Sequence, residues 1–204
     1  MKKAFSLVGD FYHNHDLMFE TLNEVLSSIN IELIDVDIKN FLTSIKERPY
    51  ILVIGRENRI NPEEKDIKVW MGSDIEEEIV RYVENGGRLF VWHSGLSSYP
   101  KDGNFVKLIK GYFIYHPEKN KIVRYFSSDG SYDFKILDEH YFVYCDVKNT
   151  DVFLYSESED GNSFAGWRHS YGKGEVICLT PAHREEGLKD INLRRLMREV
   201  LRGD

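Results

Sequence analysis

The chain has 204 residues, 30% of them charged, with a formal net charge of −7. That acidic balance, with the 27 basic residues dispersed apart from Arg194, Arg195 and Arg198, argues against nucleic acid or an anionic membrane as the main partner. No apolar run approaches the roughly 18 residues that a membrane-crossing helix needs, and Met1-Lys2-Lys3-Ala4-Phe5 runs straight into a strand pattern instead of a secretory signal, so one cytoplasmic α/β domain over residues 1–204 is expected.

Ala4-Phe5-Ser6-Leu7-Val8 reads as a first strand. The loop that follows, Gly9-Asp10-Phe11-Tyr12-His13-Asn14-His15-Asp16, gathers two histidines and two aspartates at a strand end, a candidate site. The short His13/His15 spacing suits a metal, although an isolated pair in a polar loop is more often solvated. Leu17, Leu22, Val25 and Leu26 continue as an amphipathic helix, and residues 31–36 and 50–55 read as the second and third strands. Arg56-Glu57-Asn58-Arg59 then opens a polar linker whose charges are read as solvated, with an anionic substrate group as the other reading.

Ser73-Asp74-Ile75-Glu76 has capping-box spacing, and Ile75, Ile79, Val80 and Val83 form an apolar stripe with Glu76, Glu77, Glu78, Arg81 and Glu84 on the wet side. Asn85-Gly86-Gly87 tolerates positive φ and stops this helix. Leu89-Phe90-Val91-Trp92 is a continuous apolar run, the pattern of a strand covered on both faces. It ends at His93-Ser94-Gly95. Open α/β sheets bind ligands outside the carboxyl ends of their strands, which makes His93 and Ser94 candidates. Strand, helix, strand, strand, helix, strand is the beginning of a doubly wound sheet.

Beyond this turn the pattern changes. Phe105, Leu108 and Ile109 mark a short helix. Gly111-Tyr112-Phe113-Ile114-Tyr115-His116-Pro117 is an extended run whose histidine the proline keeps out of helical geometry. Short strand-like runs follow at 122–126, 134–137, 141–145 and 152–155, an antiparallel β addition laid onto the α/β core. Asp138-Glu139-His140-Tyr141 interrupts them; alternation places Asp138 and His140 on one face, Glu139 and Tyr141 on the other. Residues 164–169 and 175–179 form a hairpin across Tyr171-Gly172-Lys173-Gly174, and its second strand ends at Thr180-Pro181-Ala182-His183. A helix over 190–201 closes the chain. Cys145 and Cys178 lie in apolar runs and read as reduced core residues.

Gly86-Gly87-Arg88-Leu89-Phe90-Val91-Trp92-His93-Ser94-Gly95, Gly111-Tyr112-Phe113-Ile114-Tyr115-His116-Pro117, Asp138-Glu139-His140-Tyr141, Tyr171-Gly172-Lys173-Gly174-Glu175-Val176 and Pro181-Ala182-His183 follow one another in an order that resembles the ThuA-like (trehalose-utilisation) family. Gly9-Asp10-Phe11-Tyr12-His13 is similar to the family's first loop. The resemblance spans nearly the whole chain and implies a flavodoxin-like, class I glutamine-amidotransferase-like parallel sheet flanked by helices. It also implies a small-molecule carbohydrate, trehalose or a related sugar, as ligand. Amidotransferases of that fold carry a cysteine at the turn where this chain has His93-Ser94-Gly95, so a thioester mechanism lacks its nucleophile and glutaminase activity is not expected. The chain departs from the family by having Tyr125-Phe126-Ser127-Ser128-Asp129 where members often carry a further His-Pro. It is also short for the family, which implies that a substrate-covering insertion is missing. A homo-oligomer is compatible with this fold.

His93, His116 and His183 stand at strand ends, and Glu139 approaches from the β addition. Together they are the catalytic candidates. They can hold a divalent metal, zinc or manganese, through His93, His116 and His183, or act without metal as general acid and base with Glu139; structural or binding roles are the third reading. His13, Ser94, Tyr115, Tyr141 and Arg168 are the substrate-binding candidates. Ser94 reads either as a nucleophile with His183 as base or, more commonly for a turn serine, as a cap on backbone amides. Trp92, Tyr112, Tyr115 and Tyr141 line a sugar subsite or pack in the core. Two functions follow: an enzyme acting on a carbohydrate, or a non-catalytic sugar-binding or regulatory protein. Convergence of the histidines with Glu139 in one cleft separates them.

Overall fold

In the computed structural model, which describes residues 1–203, helices and strands alternate through the first half: β1 (Lys2–Val8), α1 (His15–Ser27), β2 (Ile31–Asp35), α2 (Ile38–Lys46), β3 (Ile51–Gly55), α3 (Ser73–Glu84) and β4 (Arg88–Trp92). A 3₁₀ turn (His93–Leu96) and α4 (Asn104–Ile109) lead into β5 (Gly111–Tyr115), β6 (Lys121–Phe126), β7 (Asp133–Asp138), β8 (Phe142–Cys145), β9 (Asp151–Ser158), β10 (Gly161–Tyr171) and β11 (Gly174–Leu179). The short α5 (Glu185–Leu188) and α6 (Ile191–Arg202) follow.

Nine strands form one mixed sheet in the order β2-β1-β3-β4-β11-β10-β9-β6-β7. From β2 to β11 the strands are parallel; from β10 to β7 they are antiparallel. The antiparallel strands are therefore not laid onto the α/β core but continue its sheet. The reason lies in β11, which pairs with β4 on one side and with β10 on the other through the Gly172-Lys173 turn, where Gly172 has φ +57°. β5 and β8 pair separately.

The continuous apolar strands feed two cores by alternation. Leu89 and Val91 face a layer with Phe41, Ile79 and Phe105. Phe90 and Trp92 face the opposite layer with Leu22, Leu26 and Met197. Each such fully buried side chain contributes about 1.5–3 kcal/mol of burial. Both cysteines are buried and free. Among the described residues no helix is long and apolar enough to cross a membrane.

Four local expectations need correction. The β2–β3 connection contains α2, whose N-cap Asp37 accepts from the Asn40 N–H at 3.0 Å and which buries Phe41 and Ile45. α3 has Gly72 at its N-cap and no side-chain cap, so Ser73 makes no capping box. Glu76 is not on the wet side: it is buried and its Oε2 accepts from the Asn104 N–H at 2.9 Å, capping α4. Gly86, at φ +108°, ends α3 as expected. The alternation expected over 138–141 fails because β7 stops at Asp138 and β8 starts at Phe142. Asp138, His140 and Tyr141 are all buried, and Glu139 is partly exposed.

Candidate functional site

The carboxyl edge of the parallel strands is where the site forms. Immediately after β4, His93 takes φ +47°, a left-handed conformation unusual for a side chain with a Cβ. The turn can hug β3 because Gly95 has no Cβ; one would lie 2.2 Å from the Ile54 carbonyl oxygen. His93 is fully buried and stacks on Tyr141 with ring centroids 4.1 Å apart. Its Nδ1–H donates to the Thr180 carbonyl at 2.5 Å, which leaves Nε2 as the unprotonated nitrogen, buried and without a partner among the described residues. β11 lies beside β4 and parallel to it, so residues 180–183 leave the same edge.

His13 arrives from the loop after β1. The buried Asp10 carboxylate accepts from His13 Nδ1 at 2.6 Å and from the amides of Tyr12, His13 and Glu57 at 3.0, 3.2 and 3.0 Å. Burial alone would raise Asp10, but the hydrogen bond and charge of His13 with the Glu57 amide hold it well below the usual carboxylate range. An ionised Asp10 only accepts, so His13 Nδ1 donates to it, and His13 Nε2 has no partner among the described residues.

Glu139 and His183 meet these two from the other side. His183 Nδ1 lies 3.3 Å from Glu139 Oε2, and that oxygen is 3.9 Å from Nε2 of both His93 and His116. Asp138 fixes the pair: its Oδ1 accepts from the backbone N–H of Glu139 at 3.0 Å and of His183 at 2.8 Å, and its Oδ2 from the Tyr125 hydroxyl at 2.7 Å. Burial pushes the Asp138 carboxyl up to about 7 in spite of these donors. One donor atom each from His13, His93, Glu139 and His183 lies within 4.8 Å of all the others. Burial, then the neighbouring histidines, holds His93 well below the ordinary imidazole range; His183 is lowered by burial and by His13 and His116, against the opposing effect of Glu139. Imidazoles with buried ring nitrogens and one carboxylate can ligate a divalent cation or exchange protons.

His13, Glu139 and His183 of the cluster line a cavity of about 450 Å³ together with the aromatic Tyr12, Phe113 and Tyr141 and the polar Glu57, Arg59 and Ser97; His93 lies buried behind it. Tyr141 and His116 line it. His116 stays outside the four converging donors, with Nδ1 on the Pro117 carbonyl at 2.8 Å. His13, read as substrate-binding, stands among those donors. His15 does not join His13: it bonds Asp16 and Asp35 at 2.9 and 3.0 Å.

Three substrate-binding expectations fail. Ser94 is fully buried and lines no wall of the cavity. Tyr115 turns away and stacks on Phe142 at 4.7 Å, because the register shifts between Phe113 and Tyr115 and breaks their shared face. Arg168 sits opposite Ile177, down the antiparallel strand from the site, and pairs with Asp151 at 3.1 Å. Glu57 and Arg59, expected in a solvated linker, line the cavity. They follow the end of a continuous strand, and that position was their signal. The reading of this segment as solvated is also corrected: Glu57 and Asn58 are buried.

No family model matches the chain, and no curated protein matches it in sequence. Solved structures do match. A ThuA-like protein from Parabacteroides merdae superposes with a TM-score of 0.75 at 12% identity, covering 99% of this chain and 90% of that one. A second, from Bacteroides uniformis, gives 0.67 at 16%, covering 98% and 89%. The chain has the ThuA-like fold. An exo-β-1,4-mannosidase from Opitutaceae bacterium strain TAV5 matches at 0.55 and 14% identity, with 98% of this chain covering 35% of the mannosidase. Neither cysteine stands on the turn after β4: Cys145 and Cys178 lie inside β8 and β11, and burial pushes both thiols up.

Proposed function

We propose that the chain is a carbohydrate-active enzyme of the ThuA-like family, a single flavodoxin-like domain that works in the cytoplasm on trehalose or a related sugar and is not a glutaminase. The observation that carries this is the convergence of His13, His93, Glu139 and His183 within 4.8 Å beside an aromatic-walled cavity. A non-catalytic sugar-binding or regulatory protein has no need of four titratable groups in one cleft. The order β2-β1-β3-β4-β11 is that of flavodoxin-like sheets. The aromatic wall suits the apolar faces of a sugar ring, and the mannosidase among the structural neighbours acts on a carbohydrate.

The residues fit a divalent metal, zinc or manganese. Nε2 of His13, Nε2 of His93 and Nδ1 of His183 are buried without hydrogen-bond partners among the described residues, and with a Glu139 oxygen they make an N₃O donor set of the kind these ions take. When bound, the ion supplies Lewis-acid polarisation of a sugar oxygen. Asp10 and the Thr180 carbonyl keep His13 and His93 in the tautomers that present Nε2. His116, next to Glu139 and outside the donor set, is placed to move a proton on the substrate. Tyr141 and Phe113 exclude water from that wall.

Protein purified without a histidine tag is expected to contain near-stoichiometric zinc or manganese by elemental analysis, and a His93→Ala/His183→Ala double variant to lose it. Metal missing from both would leave metal-free acid–base chemistry by His116 and Glu139. Absence of any thermal shift with sugars would end the carbohydrate reading.

A further inference from the structure

Glu57 is the one cavity-lining carboxylate outside the donor cluster, and it is held more rigidly than a loop residue needs to be. It is 2% exposed. Its backbone N–H donates to Asp10 Oδ2 at 3.0 Å, and its carbonyl accepts from Trp70 Nε1 at 3.0 Å. One side-chain oxygen, Oε2, accepts three bonds: Arg59 Nε at 3.0 Å, Arg59 Nη2 at 2.7 Å and the Ser98 hydroxyl at 2.9 Å. Ser98 is itself set by a left-handed backbone, φ +67°. The other oxygen, Oε1, is buried and has no partner among the described residues. A buried carboxylate oxygen left unbonded is costly, so a native fold keeps one where a ligand completes it. Arg59 is one-third exposed, and it spends Nε and Nη2 on Glu57 while Nη1 makes no hydrogen bond among the described residues.

We propose, given the carbohydrate reading above, that the Glu57–Arg59 pair is the specificity-determining element of the cavity and takes a vicinal diol of a neutral sugar. One hydroxyl donates to Glu57 Oε1 and its neighbour accepts from Arg59 Nη1. A vicinal diol offers a donor beside an acceptor, and hydrogen bonds to charged groups are the stronger kind. A phosphate or carboxylate at the same place would meet an unshielded carboxylate oxygen, while the charge of Arg59 is already matched by Glu57. The substrate class is therefore a neutral sugar or glycoside, not a sugar phosphate or sugar acid. Asp10 links this element to the cluster, since one carboxylate holds both the His13 ring and the Glu57 amide.

The test is calorimetric titration of the intact protein with trehalose and methyl α-glucoside, and with glucose 6-phosphate and glucuronate, on wild type and Glu57→Gln. A neutral sugar is expected to bind wild type and to bind Glu57→Gln about tenfold or more weakly, with metal content unchanged. Undiminished neutral-sugar binding by Glu57→Gln overturns the pair's role and leaves the carbohydrate reading standing. Tighter binding of the phosphate or the acid to wild type overturns it as well. If no sugar binds wild type, the carbohydrate reading fails and the pair's role fails with it. Where Glu57→Gln does not fold, Arg59→Gln, on the more exposed partner, is expected to weaken the same sugars, and equal affinity there overturns the proposal.

Discussion

In the parallel half of the sheet every site residue leaves the same edge: His13 after β1, Glu57 after β3, His93 after β4 and His183 after β11. The antiparallel extension places Glu139 and Tyr141 in the β7–β8 connection and His116 just beyond β5. The first half is tight where it carries function, with backbone against backbone at Gly95 and a left-handed histidine beside it. The second half has open turns such as Gly130, around which a Cβ would meet nothing within 4 Å. The contrast teaches that parallel strands fix donors by shared direction, whereas the antiparallel part must reach the site with connections pinned by buried side chains.

The sharpest test of that contrast is Gly95→Ala. The new Cβ would fall 2.2 Å from the Ile54 oxygen, a backbone atom that cannot swing aside. The expected loss is more than about 3 kcal/mol by denaturant melting; a loss below about 1 kcal/mol would show that the edge is not rigid.

At the seam between the halves, His169 donates from Nε2 to the Leu108 carbonyl at 2.9 Å, and burial followed by the charge of Lys110 holds its pKa down at about 4. The folded value lies below the ordinary 6.5, so between pH 6.5 and 4 the unfolded chain binds a proton that the folded chain refuses. Stability therefore falls as pH drops through that window and is unaffected by this group above it. His169→Gln is expected to recover about 1 kcal/mol at pH 5 relative to pH 7, a figure reduced for partial exposure. Urea melts at the two pH values measure it, and an unchanged difference would remove His169 from the acid limb.

The smallest effect belongs to Gly130→Ala in the β6–β7 turn. With φ +76° and free space, only the left-handed conformation is penalised, by about 1 kcal/mol. A loss as large as that of Gly95→Ala would erase the distinction between the two halves.

The strands with continuous apolar runs and the two-glycine helix stop were legible because they depend on local pattern. α2 carries a helical pattern too, Ile38, Phe41, Leu42 and Ile45 behind Asp37, but it is short and sits between polar residues that also suit a loop. Convergence of His93, Glu139 and His183 could be anticipated from strand ends and family order. The part taken by His13 depends on Asp10 turning its ring inward, a contact that no spacing displays. Phe113 in place of Tyr115 follows from a register shift set by the partner strand, and Arg168 was misplaced because in an antiparallel strand later residues move away from the edge. Glu57 looked like a solvated charge since its burial is created by Trp70 and Ser98, residues distant in sequence.

Asp138 holds the amides of Glu139 and His183 with a single oxygen. The segments around 139 and 183 are therefore tied to one buried carboxylate, which couples their local opening. The two donors they carry share one anchor, and a change at Asp138 is felt by both at once.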